Sequence, residues 1–151
     1  MKKIYYIIIC ILIIFTTGCS KTNEKITLYE KYYNNGEFIK VNSDELSKYD
    51  NENYILYSYN SYCAFQIPCE DIFKEFMNKY KIDLLSISFE EFKNTKYYKK
   101  IKYAPSIIII SKGKILAYLD PNSDDDLDKY QDVNKLEEWI KEYIEISNNI
   151  N

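Results

Sequence analysis

Four cysteines carry the most distinctive chemistry in this sequence: Cys10, Cys19, Cys63 and Cys69. The 151-residue chain contains no histidine, and none of its 20 basic residues is an arginine. The absence of histidine excludes serine–histidine and cysteine–histidine nucleophile pairs, and it removes the commonest side-chain ligand of protein-bound metals. The sequence therefore predicts thiol chemistry that does not use a histidine base. We predict neither a metal site nor a cofactor.

The first eighteen residues have the layout of a secretory signal peptide. Two lysines follow Met1, and a run of twelve apolar residues extends from Ile4 to Phe15. Such a run rises only about 18 Å as a helix, which is short of the roughly 30 Å of a bilayer core. We therefore predict a signal peptide over residues 1–18, in preference to a membrane-spanning anchor.

The end of this segment resembles the lipobox of bacterial lipoproteins, because Gly18 stands directly before Cys19. In that family the cysteine thiol receives a diacylglycerol group and the cysteine becomes the new N-terminus. The resemblance implies that Cys19 is lipidated and anchors the protein in the cell membrane, facing the extracytoplasmic side. Ordinary secretion with an unmodified Cys19 is the alternative. The residues that follow are polar, and we expect 19–36 to be the lipidated cysteine and a tether.

Removal of residues 1–18 leaves Cys63 and Cys69 as the unlipidated cysteines, separated by five residues. An even number of cysteines in an oxidising compartment favours a disulfide. The pair can be a redox-active dithiol, a structural disulfide, or two thiols that do not pair. The net charge of −3 and the absence of arginine indicate that nucleic acid is not a partner.

Hydrophobic residues make up 46% of the chain and charged residues 28%, as in folded globular domains. Apolar periodicity predicts one domain over residues 37–147, followed by a tail at 148–151. The predicted strands are 37–41, 54–59, 83–88, 107–110 and 115–119. One predicted helix begins near 42–46, a second has Pro68 in its first turn and continues to Tyr80, and two more cover 89–100 and 133–146. An irregular acidic segment is predicted at 120–132.

This alternation of strands and helices predicts an α/β fold, with a central mixed β-sheet flanked by helices on both faces. A short turn at residues 111–114 joins the last two strands, so these strands must be antiparallel. Pro68 suits the first turn of the helix that follows it, because its missing N–H costs nothing there. Glu70 and Asp71 favour the positive end of the same helix.

The element order and three local sequences resemble the thioredoxin superfamily, in particular the small thioredoxin-like lipoproteins of Gram-positive bacteria. Residues 56–63, LYSYNSYC, resemble the strand that leads into the attacking cysteine. Residues 103–110, YAPSIIII, resemble the cis-proline loop and the buried strand after it, and residues 111–114 resemble the next turn. The resemblance covers residues 37–147 and implies a thioredoxin-like fold with a cis-proline loop at Pro105.

The cysteine motif departs from the C-x-x-C pattern of that family. When Cys63 is aligned with the attacking cysteine, Gln66 stands where the family has its second cysteine. An alternative alignment places Cys69 on the second cysteine and Gln66 on the first. Tyr57 stands where thioredoxins have a buried acid, so the usual base for the resolving thiol is missing from its place.

The resemblance implies a thiol–disulfide oxidoreductase in which Cys63 attacks the substrate and Cys69 resolves the mixed disulfide. Tyr62, Ala104 and Pro105 would bind the polypeptide substrate, with the backbone of Ala104 facing an added peptide strand. The partners would be proteins or peptides that carry thiols or disulfides. The alternative function is a redox-inactive thioredoxin-like lipoprotein that binds a peptide or a partner protein. The sequence does not indicate an oligomeric state.

Overall fold

The structure of the protein is a computed structural model that describes residues 24–60 and 67–146. Its strands are β1 Phe38–Lys40, β2 Asn53–Tyr59, β3 Leu84–Ser88, β4 Ser106–Ser111 and β5 Lys114–Tyr118. The α-helices in the described part are α1 Cys69–Tyr80, α2 Phe89–Phe92 and α3 Val133–Tyr143. Short 3-10 helices lie at Glu30–Tyr32, Glu45–Tyr49, Lys96–Lys99 and Leu127–Tyr130.

The strands form one mixed sheet in the order β1-β3-β2-β4-β5. Strands β1, β3 and β2 are parallel, β4 is antiparallel to β2, and β5 is antiparallel to β4. The register places Leu56 of β2 opposite Leu85 of β3 on one side and Ile108 of β4 on the other. The predicted fold class, an α/β fold with a central mixed sheet flanked by helices, is confirmed.

The burial of β4 follows from its sequence. Four consecutive isoleucines, Ile107 to Ile110, are each at most 1% exposed. A strand that is covered on both faces carries a continuous apolar run, whereas a strand with one exposed face alternates. β5 lies at the sheet edge, and its residues Lys114 and Leu116 are exposed.

The two faces of the sheet are covered by different elements. On one face, the Tyr57 ring of β2 packs edge-on against Phe73 of α1, with 5.1 Å between ring centroids. On the other face, Tyr54 packs against Tyr49, and its hydroxyl lies 3.0 Å from the Tyr97 hydroxyl. The 3-10 helices that carry Tyr49 and Tyr97 therefore cover the face opposite α1. Helix α3 packs beside α1.

Helix α1 is amphipathic, as the sequence predicts. Its apolar residues are buried: Ile72, Phe73, Phe76, Met77 and Tyr80. The helix begins at Cys69, directly after Pro68, and ends at Tyr80; the next residue, Lys81, adopts a left-handed conformation with φ of 53°. The end at Tyr80 agrees with the prediction, whereas Pro68, expected in the first turn, is the residue before the helix, so that Cys69 is its first residue.

The prediction of one helix over residues 89–100 is wrong. The structure has the four-residue helix α2 and then the separate 3-10 helix Lys96–Lys99. Thr95 breaks the helix, because its backbone is extended (φ −88°, ψ 159°) and its hydroxyl donates to the Phe92 carbonyl at 2.8 Å. Threonine side chains that bond nearby backbone groups compete with the helical pattern in this way.

The predicted helix start near residues 42–46 is a 3-10 helix, Glu45–Tyr49. Its beginning carries a reciprocal pair of hydrogen bonds between Asn42 and Glu45. The Glu45 N–H donates to the Asn42 side-chain oxygen at 3.0 Å, and the Asn42 N–H donates to the Glu45 carboxylate at 3.1 Å. This is the arrangement of a capping box, which marks helix starts in sequence.

Residues 24–36, the described part of the segment 19–36 that we expect to be a tether, pack against the domain. Ile26 forms a parallel bridge with Ile144, through hydrogen bonds of 2.8 Å to the Tyr143 carbonyl and from the Glu145 N–H. Leu28 is 4% exposed. Pairing with Ile26 also explains why α3 ends at Tyr143 and not at 146, since Ile144 must be extended to form the bridge.

The signal peptide predicted for residues 1–18, the lipidation site Cys19 and the tail at 148–151 lie outside the described residues. Within 24–60 and 67–146, no helix has the length and apolar character that crossing a membrane requires.

Candidate functional site

Cys69 is the first residue of α1 and is 1% exposed. Its sulfur lies 3.9 Å from the hydroxyl oxygen of Tyr57, which points from β2 toward the start of the helix. Tyr57 is itself 5% exposed, so the contact joins two buried polar groups. The position that the family resemblance reserves for a buried acid is thus occupied by a neutral hydroxyl that touches the candidate resolving thiol.

The start of α1 gives Cys69 two opposing electrostatic influences. The unpaired N–H groups of a helix N-terminus carry partial positive charge and stabilise a thiolate. Glu70 and Asp71 follow in the first turn and oppose this effect. The Glu70 carboxylate is bound by Lys74 at 2.9 Å, one turn further along the helix, which reduces its influence.

The Ala104–Pro105 peptide bond is cis, and it leads directly into β4. The Asn60 side-chain amide donates to the Ala104 carbonyl at 2.9 Å, so the end of β2 is connected to this loop. The Ser106 hydroxyl donates to the Tyr103 carbonyl at 2.9 Å and closes the loop internally. Two of the three residues predicted to bind substrate, Ala104 and Pro105, therefore lie at the end of the sheet where β2 finishes.

Tyr130 connects the proline loop with helix α1. Its hydroxyl lies 2.9 Å from both the Pro105 and the Leu119 carbonyl oxygens and donates to them. Burial raises the pKa of the Tyr130 hydroxyl well above its usual value, and the charge of a Cys69 thiolate raises it further. Its ring also packs on Phe73 of α1, with 6.0 Å between centroids. One buried tyrosine therefore contacts both the proline loop and α1.

Amide side chains anchor the described residues on both sides of segment 61–66. Before the segment, Asn60 is held to Ala104. After it, the Gln131 side chain accepts from the Ile67 N–H at 3.2 Å and donates to the Ile67 carbonyl at 3.0 Å. These contacts fix where the chain leaves β2 and where it enters α1.

Two apolar side chains near these anchors are exposed, Ile67 at 43% and Tyr103 at 53%. Tyr103 precedes the cis peptide bond, and Ile67 precedes Pro68 at the start of α1.

A small cavity lies on the α1 face of the sheet, next to the Tyr57–Cys69 contact. Its volume is about 160 Å³, and it is lined by Phe38, Lys40, Tyr57, Tyr59, Glu70 and Ser86. The Ser86 hydroxyl is buried and has no hydrogen-bond partner.

The predicted site residues are placed as follows. Cys69, Ala104 and Pro105 belong to one end of the molecule, whereas Cys63, Tyr62 and Cys19 lie outside the described residues. Across 24–60 and 67–146, no three histidine, cysteine, aspartate or glutamate side chains are grouped as metal ligands would be.

Sequence reasoning missed Asn60, Tyr130 and Gln131. Tyr130 and Gln131 lie in the segment 120–132, which was expected to be irregular and instead contains the 3-10 helix Leu127–Tyr130. The sequence does carry one indication of Tyr130: it is the single aromatic residue of the acidic segment 120–132. A large aromatic side chain there is expected to pack against the apolar core. No pattern in the sequence identifies Asn60 or Gln131.

Comparisons with known proteins find similarity in three dimensions only. No protein-family model matches the chain, and no curated protein sequence matches it. Among solved structures, a putative oxidoreductase with a thioredoxin fold is 17% identical, with a TM-score of 0.51 over 67% of this chain and 91% of that one. Thioredoxin from Schistosoma mansoni is 21% identical, with a TM-score of 0.50 over 72% and 97% of the two chains.

A mutant thioredoxin from Halobacterium salinarum NRC-1 is 16% identical, with a TM-score of 0.52 over 76% of this chain and 96% of that one. The chain has a thioredoxin fold. The three solved structures are covered almost completely, so the match includes the whole architecture of a thioredoxin. At these identities the similarity establishes the thioredoxin fold and leaves the activity to be argued from the site.

Proposed function

We propose that this protein is a thiol–disulfide oxidoreductase that acts on protein disulfides at the extracytoplasmic face of the cell membrane. The observation that carries the proposal is the position of Cys69 at the N-terminus of α1, a helix that packs on Tyr130 through Phe73, while the Tyr130 hydroxyl donates to the cis-proline loop. The thioredoxin fold supports the same function. A thiol at a helix N-terminus, beside a loop that presents backbone groups, combines a nucleophile with a surface for an extended peptide.

The proposed reaction is a two-step thiol–disulfide exchange. The Cys63 thiolate attacks one sulfur of a substrate disulfide, which forms a mixed disulfide and releases the other substrate sulfur as a thiolate. The Cys69 thiolate then attacks the Cys63 sulfur, which forms the Cys63–Cys69 disulfide and releases the second substrate thiolate. Two electrons pass from the cysteine pair to the substrate, and the reverse sequence oxidises a substrate dithiol.

The proposed peptide-binding surface surrounds Pro105. The exposed side chains of Tyr103 and Ile67 supply apolar contacts on its two sides, and the backbone of Ala104 supplies hydrogen bonds. Asn60 already donates to the Ala104 carbonyl, so a bound peptide strand shares or replaces that bond. In this proposal Tyr62 lines the same surface.

The proposed location depends on residues 1–19. Cleavage after residue 18 and lipidation of Cys19 anchor the protein by its N-terminus. The described domain begins to pack at Ile26. Six residues separate Cys19 from Ile26, and they span at most about 25 Å when fully extended. The lipid therefore holds the domain near the membrane surface, and substrates must reach it there.

A redox titration tests the proposed activity. The full chain with Cys10→Ser and Cys19→Ser, purified in detergent, is equilibrated in glutathione buffers and read by the mass shift of thiol alkylation. We expect a potential between about −270 and −120 mV, the range of exchange-competent dithiols. A potential below about −300 mV indicates a structural disulfide and contradicts the proposal, as does the absence of any disulfide.

Metabolic labelling tests the proposed anchor. Cells that express the unaltered chain are grown with an alkyne-tagged fatty acid, and the Cys19→Ser variant is compared with the matched Cys10→Ser variant. We expect label and membrane association for Cys10→Ser and neither for Cys19→Ser. Equal labelling of both variants would show that Cys19 is not the lipidation site.

A redox-inactive binding protein is the second candidate function. It is favoured by the burial of Cys69, which is 1% exposed, and by Gln66 at the position of the usual second cysteine. A chain with both Cys63→Ala and Cys69→Ala distinguishes the two functions. Two results together favour the binding protein. The double variant binds the partner with unaltered affinity, and the Cys63–Cys69 pair of the chain that keeps both cysteines has a potential below about −300 mV.

A further inference from the structure

We propose that Tyr57 is a positioning residue, whose hydroxyl donates a hydrogen bond to the Cys69 thiolate and so sets the fraction of that cysteine ready to attack. The role rests on the proposed function, because it concerns the resolving step of the exchange. The hydrogen bond itself is a property of the fold and can be measured without any substrate.

The geometry of the contact comes from the packing of β2 against α1. The Tyr57 hydroxyl lies 3.9 Å from the Cys69 sulfur, and both residues are at least 95% buried. Aromatic neighbours hold the Tyr57 ring, with centroid separations of 5.1 Å to Phe73, 5.3 Å to Phe38 and 5.8 Å to Tyr59. A ring held on three sides directs its hydroxyl at the sulfur, so the contact is a built feature of the core.

Within residues 24–60 and 67–146, charged and titratable groups face this contact from α1, from β1 and from Tyr130. Glu70 and Asp71 lie on α1 itself, and Lys40 of β1 lines the same cavity as Tyr57 and Glu70. From the other side, Tyr130 lies close enough for the Cys69 charge to influence it, but its hydroxyl already donates to backbone carbonyls. The acids of the first turn disfavour a thiolate, which makes a hydrogen-bond donor at the sulfur more important.

A tyrosine does different chemistry from a carboxylate at this place. A phenol is ordinarily a weaker acid than a thiol, so the proposal assigns the shared proton of this contact to the Tyr57 hydroxyl. It therefore stabilises the Cys69 thiolate as a donor and does not accept the thiol proton. The proton passes to solvent, the Cys69 thiolate attacks the Cys63 sulfur, the Cys63–Cys69 bond forms, and the substrate sulfur leaves with the bonding electrons.

The test is a titration of Cys69 in the full chain with Cys10, Cys19 and Cys63 replaced by serine. Cysteine labelled with carbon-13 at Cβ reports the ionisation of the single remaining thiol by NMR. Hydrogen bonds to charged groups are among the stronger ones in proteins, so we expect Tyr57→Phe to reduce the thiolate fraction at pH 7 about tenfold. Tyr57→Phe keeps the ring, and its packing against Phe73 is retained.

The matched control is Tyr54→Phe. Tyr54 lies on the same strand, is fully buried, and has its hydroxyl 3.0 Å from Tyr97 on the opposite face of the sheet. We expect this variant to leave the ionisation of Cys69 unchanged. An unchanged Cys69 titration in Tyr57→Phe overturns the proposal, and so does an equal shift in both variants.

A second measurement needs no substitution at Tyr57. With tyrosine labelled at Cζ, the Tyr57 signal is expected to shift at the pH where Cys69 ionises, and a Tyr57 signal that stays constant there contradicts the hydrogen bond.

The exchange assay separates this proposal from the proposed function. If Tyr57→Phe lowers the Cys69 thiolate fraction tenfold but the chain with both Cys63 and Cys69 shows no exchange activity, the proposed oxidoreductase function is wrong and the proposed hydrogen bond stands. Exchange activity with no effect on the thiolate overturns the role of Tyr57 and leaves the oxidoreductase.

Discussion

Glu137 stabilises the contact between α1 and α3, and we predict that this stabilisation disappears in acid. The Glu137 carboxylate, 14% exposed, is bound by Lys141 of its own helix at 2.5 Å and by Lys79 of α1 at 2.6 Å. Burial alone would raise its pKa, but the hydrogen bonds from Lys141, Lys79 and Tyr80 outweigh burial and lower the pKa from 4.5 to about 2. The carboxylate therefore belongs to a network that joins the Cys69 helix to its neighbour.

The structure sets the size of the effect. One pKa unit corresponds to about 1.4 kcal/mol, so the lowered pKa places a ceiling of roughly 3 kcal/mol on the contribution of Glu137. The side chains of Lys79 and Lys141 are 50% and 45% exposed, so solvent screens both interactions. We therefore expect Glu137→Gln to lower the free energy of unfolding by about 1–2 kcal/mol at pH 7.

The direction of the pH dependence follows from the lowered pKa. A carboxylate whose pKa is lower in the folded chain contributes stability above its unfolded value, here 4.5, and loses it as the pH falls toward about 2. The unaltered chain and Glu137→Gln should therefore differ at pH 7 and converge at pH 2–3. Urea unfolding followed by circular dichroism at each pH measures both free energies.

The matched control for this prediction is Glu138→Gln on the same helix. Its carboxylate is 68% exposed and pairs with Lys135, which is also largely exposed, so we expect no measurable loss. A difference between Glu137→Gln and the unaltered chain that stays constant from pH 7 to pH 2 would refute the reasoning. An equal loss in both variants would also refute it.

Two further predictions concern Gln131 and Gly36. Gln131→Ala removes both hydrogen bonds to Ile67, so we expect a loss of about 1 kcal/mol and faster hydrogen exchange at the Ile67 amide, measured by NMR. Unchanged exchange there would contradict the anchoring role. Gly36→Ala places a Cβ 2.6 Å from the Met77 carbonyl oxygen at a φ of +75°, so we expect a loss of about 2 kcal/mol or more in urea unfolding. An unfolding free energy within 0.5 kcal/mol of the unaltered chain would contradict this clash.

The central elements of the fold could be predicted because burial imposes a pattern on the sequence. The short run of β-branched isoleucines in β4 predicts a strand covered on both faces, and the spacing of Phe73, Phe76 and Met77 fits one face of a helix. The order of strands in the sheet could be predicted only through the family resemblance, because periodicity carries no information about which strands are neighbours.

The errors arise where side-chain hydrogen bonds decide the local structure. The periodic pattern of residues 89–100 continues past Thr95, but the hydroxyl of that residue bonds the Phe92 carbonyl and ends the helix. Likewise, residues 24–36 are polar in composition, but single residues of this segment pair with distant ones, such as Ile26 with Ile144 and Tyr33 with Ile82. Long-range contacts of single residues leave no period in a sequence.

The candidate site was predictable at the level of residue types and not at the level of contacts. Cys69 and Pro105 follow from the resemblance, and so does the expectation that Tyr57 replaces an acid. That the Tyr57 hydroxyl reaches the Cys69 sulfur depends on the distance between β2 and α1, which the bulk of Phe73 sets.

The described surroundings of Cys69 show a neutral side chain, Tyr57, at the place where the family resemblance expects a buried acid. Tyr57 and Tyr130 bring neutral hydroxyls close to Cys69 and the proline loop, while Gln131 holds the chain just before α1. Phenol hydroxyls and amides ordinarily keep the same charge between pH 5 and 8, so under the proposed function we expect the pH dependence of the resolving step in this range to follow the ionisation of Cys69. The rate of that step should then follow a single ionisation, whereas a carboxylate base would add a second one at lower pH.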